Sequence, residues 1–180
     1  METIKETEIK GNILMIIAPS DFRDEELFET KKIFEENAYT VEVTSSQKGI
    51  IKGVRGREQN IEKEISEINL GDYNAIVFVG GTGVEKHKLY ENQEYKELAK
   101  VSHAFNKTIG AICIAPKILA GANLLAGQRA TVFSSGKEYL NSKGAIYVKK
   151  DVVVDKKIIT GNGPDAVDEF ALAVIHNIEN

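Results

Sequence analysis

Apolar and polar positions along the chain follow two rhythms. Continuous apolar runs at Ile13–Ala18 (ILMIIA), Ala75–Val79 (AIVFV) and Ile109–Ile112 predict strands covered on both faces. Tyr39–Thr44 (YTVEVT) alternates and is β-rich, which predicts a further strand, as does Gln128–Phe133 (QRATVF). Val152–Val154 and Ile158–Thr160 flank Asp155-Lys156-Lys157, the pattern of a hairpin on one edge of a sheet. Between these lie helical spacings. Asp24–Glu36 reads as a helix with Glu25 and Glu26 in its first turn, where carboxylates oppose the positive end of the dipole. Asn92–Phe105 places Tyr95, Leu98, Val101 and Phe105 on one side, and Lys137–Lys143 predicts a short helix. Pro164–Ile178 carries Val167, Phe170, Ala171, Val174, Ile175 and Ile178 on one stripe, the cleanest amphipathic helix of the chain. Ile61–Ile68 reads as a short helix, and Gly49–Asn60, rich in glycine and basic residues, as a hairpin or irregular excursion.

Strands that alternate with helices imply a mostly parallel sheet wrapped by helices on both faces, a three-layer α/β sandwich. One domain spanning residues 1–180 is the economical expectation, with residues 1–10 as a polar extension. Functional sites of such sheets gather beyond the carboxyl ends of the strands. Three loops meet that rule: the turn before Glu26, the Gly80-Gly81-Thr82-Gly83 loop, and the turn at Cys113.

Composition adds boundaries. The net charge of -4, from 27 acidic and 23 basic residues, comes without a dense Lys/Arg block and points away from nucleic acid and membrane surfaces. A lone cysteine suits a reducing compartment, and the polar start METIKETEIKGN has no apolar signal core, so a cytoplasmic location is expected. No pair of histidines or cysteines has metal-site spacing, which predicts no metal. Gly161-Asn162-Gly163-Pro164-Asp165-Ala166 mimics a dinucleotide fingerprint. No strand follows it to carry the acidic ribose ligand, so it reads as a helix-start turn with no cofactor, its helix capped by Asp165 and Asp168.

The chemistry-bearing stretch is Thr108–Leu125 (TIGAICIAPKILAGANLL). A strand passes through Cys113 into Pro116, which fits the first turn of a helix, with Ile118, Ala122 and Leu125 on one buried face. A thiol on such a strand-to-helix turn is expected to ionise readily beside amide N–H groups and a helix dipole; as residue type alone, it is also an ordinary buried hydrophobe. Glu26 reads either as a partner for that thiol or as a dipole-complementing residue. Gly80, Gly81 and Gly83 read either as an anion or oxyanion cradle or as a tight βα turn. His87 follows the glycine loop and is the one histidine placed to approach the site, whereas His103 and His176 fall on polar helix faces.

On DFRDEELF, VFVGGTG, AICIAPKILAGANLLAGQRATVF and GNGPDAVDEFALAVI, the chain resembles the ThiJ/PfpI superfamily, from about Ile13 to Ile178. The resemblance implies a flavodoxin-like fold shared with class I glutamine amidotransferases. It implies a nucleophilic Cys113, an acidic partner at Glu26, and oxyanion donors on the backbone of Gly80, Gly81 and Ile114. It implies a cysteine-dependent hydrolase or a glyoxalase- or deglycase-type enzyme acting on small electrophiles or peptides, in a homodimer or larger homo-oligomer. Two departures stand out. The histidine that follows the nucleophile in PfpI-type peptidases is Ile114 here, and the histidine that other members place after the ATV-type strand is replaced by Phe133 and Ser134. A redox- or stress-responsive protein whose cysteine is oxidised without turnover is therefore the alternative expectation.

Overall fold

The computed structural model describes residues 7–180, so residues 1–6 of the expected extension lie outside the described part. In chain order the elements are β1 (Gly11–Ile16), α1 (Asp24–Glu36), β2 (Tyr39–Thr44), β3 (Gly49–Lys52), β4 (Glu58–Ile61), β5 (Ala75–Phe78), α2 (Thr82–Lys86) and α3 (Gln93–Ala104). Then come β6 (Thr108–Ile112), α4 (Pro116–Gly121), β7 (Arg129–Ala130), α5 (Lys137–Ser142), β8 (Ile146–Tyr147), β9 (Val152–Asp155), β10 (Ile158–Gly161) and α6 (Val167–Glu179). Six strands form the central sheet in the order β2-β1-β5-β6-β10-β9. All neighbours run parallel except the edge pair β9–β10, the expected hairpin.

The continuous apolar runs become the middle of that sheet because side chains there alternate between two covered faces. Ile13, Met15 and Ile17 pack with Leu27 and Phe34 of α1 and with Phe170 and Val174 of α6. Leu14, Ile16 and Ala18 pack on the other face with Tyr95 and Leu98 of α3, Ile118 of α4 and Leu140 of α5. This is the three-layer, flavodoxin-like arrangement. A Cβ on Gly110 of β6 would stand 2.8 Å from the Phe170 ring, so the absence of a side chain there seats α6 on the sheet.

Four predicted elements take other forms. The helix expected over Ile61–Ile68 shrinks to one 3₁₀ turn, Ile65–Glu67, closed by a reciprocal Glu64–Glu67 capping box. The strand expected over Gln128–Phe133 keeps only Arg129–Ala130, paired with β8 outside the central sheet. Its amides are claimed elsewhere: Thr131 N–H donates to Thr160 Oγ1 at 2.9 Å, and Phe133 N–H to the Cys113 carbonyl at 2.7 Å. The helix after Cys113 is six residues long, and its pattern partners Ala122 and Leu125 are buried beyond its end, where Asn123 turns the chain at φ 61°. The last helix opens with a 3₁₀ turn, Pro164–Ala166, and neither Asp165 nor Asp168 caps it through a side-chain hydrogen bond. Among the described residues, no helix is long and apolar enough to cross a membrane.

Candidate active site

Carboxyl ends of β1, β5 and β6 converge on one corner of the sheet, and the three expected loops meet there. Cys113 sits one residue past β6 with φ 63°, a left-handed conformation that costs a non-glycine residue about 1–2 kcal/mol. The backbone turns so sharply there that the half-buried sulfur stands clear of the sheet. Glu26, two residues into α1, is completely buried. Gly80 N–H donates to its Oε2 at 2.9 Å, while Oε1 is sealed from solvent without a hydrogen-bond partner among the described residues. Burial raises the Glu26 carboxyl to about 7, and the adjacent Cys113 thiol and the Gly80 amide only partly oppose that rise. Gly80 has to be a glycine: a Cβ there would lie 2.7 Å from both Cys113 Cβ and Glu26 Oε2.

The thiol itself does not follow the sequence-based expectation of easy ionisation. Burial pushes the Cys113 thiol up, and the Glu26 carboxylate raises it further; the Ile114 N–H and the Arg23 guanidinium pull weakly the other way. A six-residue helix supplies little dipole, and the desolvation it faces is larger. The oxyanion expectation also changes in part. Gly80 N–H is committed to Glu26, so it holds the carboxyl rather than facing the cleft. The N–H groups of Gly81 and Ile114 find no backbone carbonyl among the described residues, the Ile114 N–H is directed to the Cys113 sulfur, and both residues line the cleft. His87 is drawn away: its Nε2 lies 2.7 Å from Ser20 Oγ, and it is not part of the cleft wall. No cluster of three His, Cys, Asp or Glu side chains suited to a metal occurs among the described residues.

Around the sulfur lies a cleft of about 240 Å³, lined by Arg23, Thr82, Glu85, Phe133 and Ser135 with Val54 and Pro164 at its rim. Three successive acids build this corner in different ways. Asp24 accepts the Arg55 and Arg57 N–H groups at 2.9 Å each and so clamps the β3–β4 tip, with Val54, beside the cleft. Glu25 bridges Arg23 and Arg55, and Glu26 meets the thiol. Replacing Asp24 with alanine is expected to cost about 1–3 kcal/mol, because two amides lose a charged acceptor. Denaturant unfolding measures the loss, and limited proteolysis would place new cuts near Gly53–Arg57.

Sequence reasoning missed Arg23, Glu85 and Lys117. Arg23 falls one helical turn before Glu26, and that spacing was a usable signal. Lys117 Nζ pairs with Glu85 Oε1 at 2.6 Å and sits 3.9 Å from the Tyr90 ring, contacts that only the tertiary fold brings together.

Comparison with known proteins gives the chain a family. The chain belongs to the DJ-1/PfpI family, whose model matches residues 11–177. An uncharacterised protein of Methanocaldococcus jannaschii is 44% identical over 177 residues, covering 97% of this chain and 86% of its own. A deglycase of Pyrococcus abyssi is 30% identical over 151 residues, covering 84% of this chain and 90% of its own. The crystal structure of a ThiJ/PfpI domain protein from Brachyspira murdochii superposes with a TM-score of 0.91 at 32% identity, over 96% of this chain and 98% of that one.

Proposed function

We propose that the chain is a cysteine-dependent enzyme for small aldehydes, in which Cys113 and Glu26 share one proton. The observation that carries this reading is the sealed Glu26 carboxyl, raised to about 7, against a half-buried thiol at the floor of a small cleft. Burial disfavours charge on either group, so near neutral pH the pair loses a single proton. Gly80 N–H occupies Oε2, which leaves the unpartnered Oε1 as the free site for a proton. Above that pH the Glu26 carboxylate takes the thiol proton as sulfur adds to the aldehyde carbon, the carbonyl electron pair moves onto oxygen facing the Gly81 and Ile114 N–H groups, and Glu26 passes the proton to that oxygen. The adduct is a hemithioacetal on Cys113, a covalent intermediate whose C–S bond must break again at each turnover.

Aldehydes fit better than peptides for a physical reason. Cleaving an amide requires a proton donor for the departing amine, and no histidine lines the cleft among the described residues, whereas carbonyl addition expels nothing. The deglycase relative of Pyrococcus abyssi supports a reaction at a carbonyl-derived centre. Self-association belongs to the same proposal, with Val54 and Phe133 exposed at the cleft rim as apolar ground for a second copy. The missing histidines favour one further reading, in which Cys113 is oxidised stoichiometrically.

Intact-mass and peptide-mapping spectrometry after exposure to methylglyoxal or dilute peroxide, beside a turnover assay, separates the two. The enzyme reading expects a methylglyoxal adduct confined to Cys113 and multiple turnovers. Oxidation of Cys113 without any aldehyde adduct or turnover would overturn it in favour of the redox reading.

A further inference from the structure

Among the described residues, Arg23 is the one cation on the cleft wall, and its charge is not fully used inside the protein. Its backbone N–H donates to the Gly80 carbonyl at 3.0 Å, which fixes the residue beside the glycine loop. Its Nε is held by Glu25 Oε2 at 2.7 Å, and the other oxygen of Glu25 is taken by Arg55 at 2.6 Å. No acceptor occupies the Arg23 Nη atoms among the described residues, and the side chain is half-buried at the cleft. Its charge also reaches both reacting groups, favouring the anionic forms of Glu26 and Cys113. The only carboxylate on the same wall among the described residues, Glu85, is already satisfied: Oε1 takes Lys117 at 2.6 Å and Oε2 takes the Tyr90 hydroxyl at 3.0 Å. With Glu25 shared between two guanidinium groups and Glu85 paired with Lys117, the outer edge of the Arg23 guanidinium is left at the cleft without a carboxylate of its own.

We infer that Arg23 is a specificity-determining residue that receives the carboxylate of a small oxo acid while the aldehyde carbon of the same molecule meets Cys113. This inference rests on the aldehyde reading and narrows it to anionic substrates. A guanidinium anchored through Nε presents its outer edge as a fork for carboxylate oxygens, a geometry an ammonium reproduces only as a point charge. The covalent step is unchanged and balanced. Sulfur bonds to the aldehyde carbon, the carbonyl pair becomes an oxygen lone pair, and that oxygen takes the proton held by Glu26. Nothing leaves, and no electron acceptor is needed.

The test compares glyoxylate, an aldehyde carrying a carboxylate, with methylglyoxal, which is uncharged, as rates of Cys113 capture read by mass spectrometry. Hydration of each aldehyde in water is identical for every variant, so the ratio of the two rates isolates the protein's preference. In Arg23→Gln the glyoxylate-to-methylglyoxal ratio is expected to fall about tenfold, and in Arg23→Lys to recover most of the loss. Any change in thiol acidity affects both rates and cancels. In the unmodified protein the ratio should also fall as sodium chloride is raised, which keeps the test valid if a variant fails to fold. A ratio unaltered by Arg23→Gln and by salt would overturn the assignment of Arg23 while leaving the aldehyde reading intact. Capture of neither aldehyde would overturn both.

Discussion

Replacing Glu26 with glutamine is expected to flatten the pH dependence of stability between about pH 4.5 and 7. In the folded protein the carboxyl holds its proton up to about 7, against an ordinary 4.5 in the unfolded chain. Between those values the native state binds more protons than the unfolded state, so stability falls as pH rises. Proton linkage places the loss at about 3 kcal/mol by the time both states are ionised. Glutamine keeps an oxygen for the Gly80 N–H but has no proton to lose, so the slope from this position vanishes. Carboxylates held low by partners, such as Asp21 with Lys86 and Glu67 with Lys48, titrate below this window and do not mask it. Denaturant unfolding at a series of pH values, with the variant subtracted from the parent, reads the effect. Parallel curves for the two proteins would show that Glu26 ionises normally.

Removing the sulfur has the largest effect on reactivity. Cys113→Ala abolishes aldehyde capture outright, because the chain has one cysteine and, among the described residues, no second nucleophile in the cleft with a comparable partner. The same position yields a separate stability signal. At φ 63° alanine keeps the left-handed strain that cysteine bears, whereas glycine does not. Cys113→Gly is therefore expected to be more stable than Cys113→Ala by about 1 kcal/mol, a reversal of the usual cost of glycine. Thermal or denaturant unfolding of the two variants checks the order. Residual aldehyde capture in either would move the chemistry to another residue.

Much of the fold was legible because its central strands are covered on both faces. Ile13–Ala18, Ala75–Val79 and Ile109–Ile112 announce themselves as unbroken apolar runs, and α6 does so through its stripe from Val167 to Ile178. Elements whose amides are claimed by distant groups were not legible. Thr131 gives its N–H to Thr160 and Phe133 to Cys113, and nothing local in QRATVF reveals either partner. The site divides in the same way. Cys113 was marked by its strand-to-helix turn and Glu26 by a first-turn position within a recognisable motif. The cost of burying them was not, since it depends on Gly80, 54 residues from Glu26 along the chain, closing over the carboxyl. That burial reversed the expected direction for the thiol. Arg23 was overlooked although it stands one helical turn before Glu26, because its meaning comes from the cleft it borders.

The rate of Cys113 alkylation by iodoacetamide, followed across pH in the parent protein and in Glu26→Gln, tests the shared proton most directly. Loss of one proton from the pair predicts a rise in rate centred near pH 7 in the parent. In the variant that step disappears, and the midpoint moves to or above about 8.5, the ordinary range of a thiol. A parent midpoint already in that higher range, or the same profile in both proteins, would contradict the account.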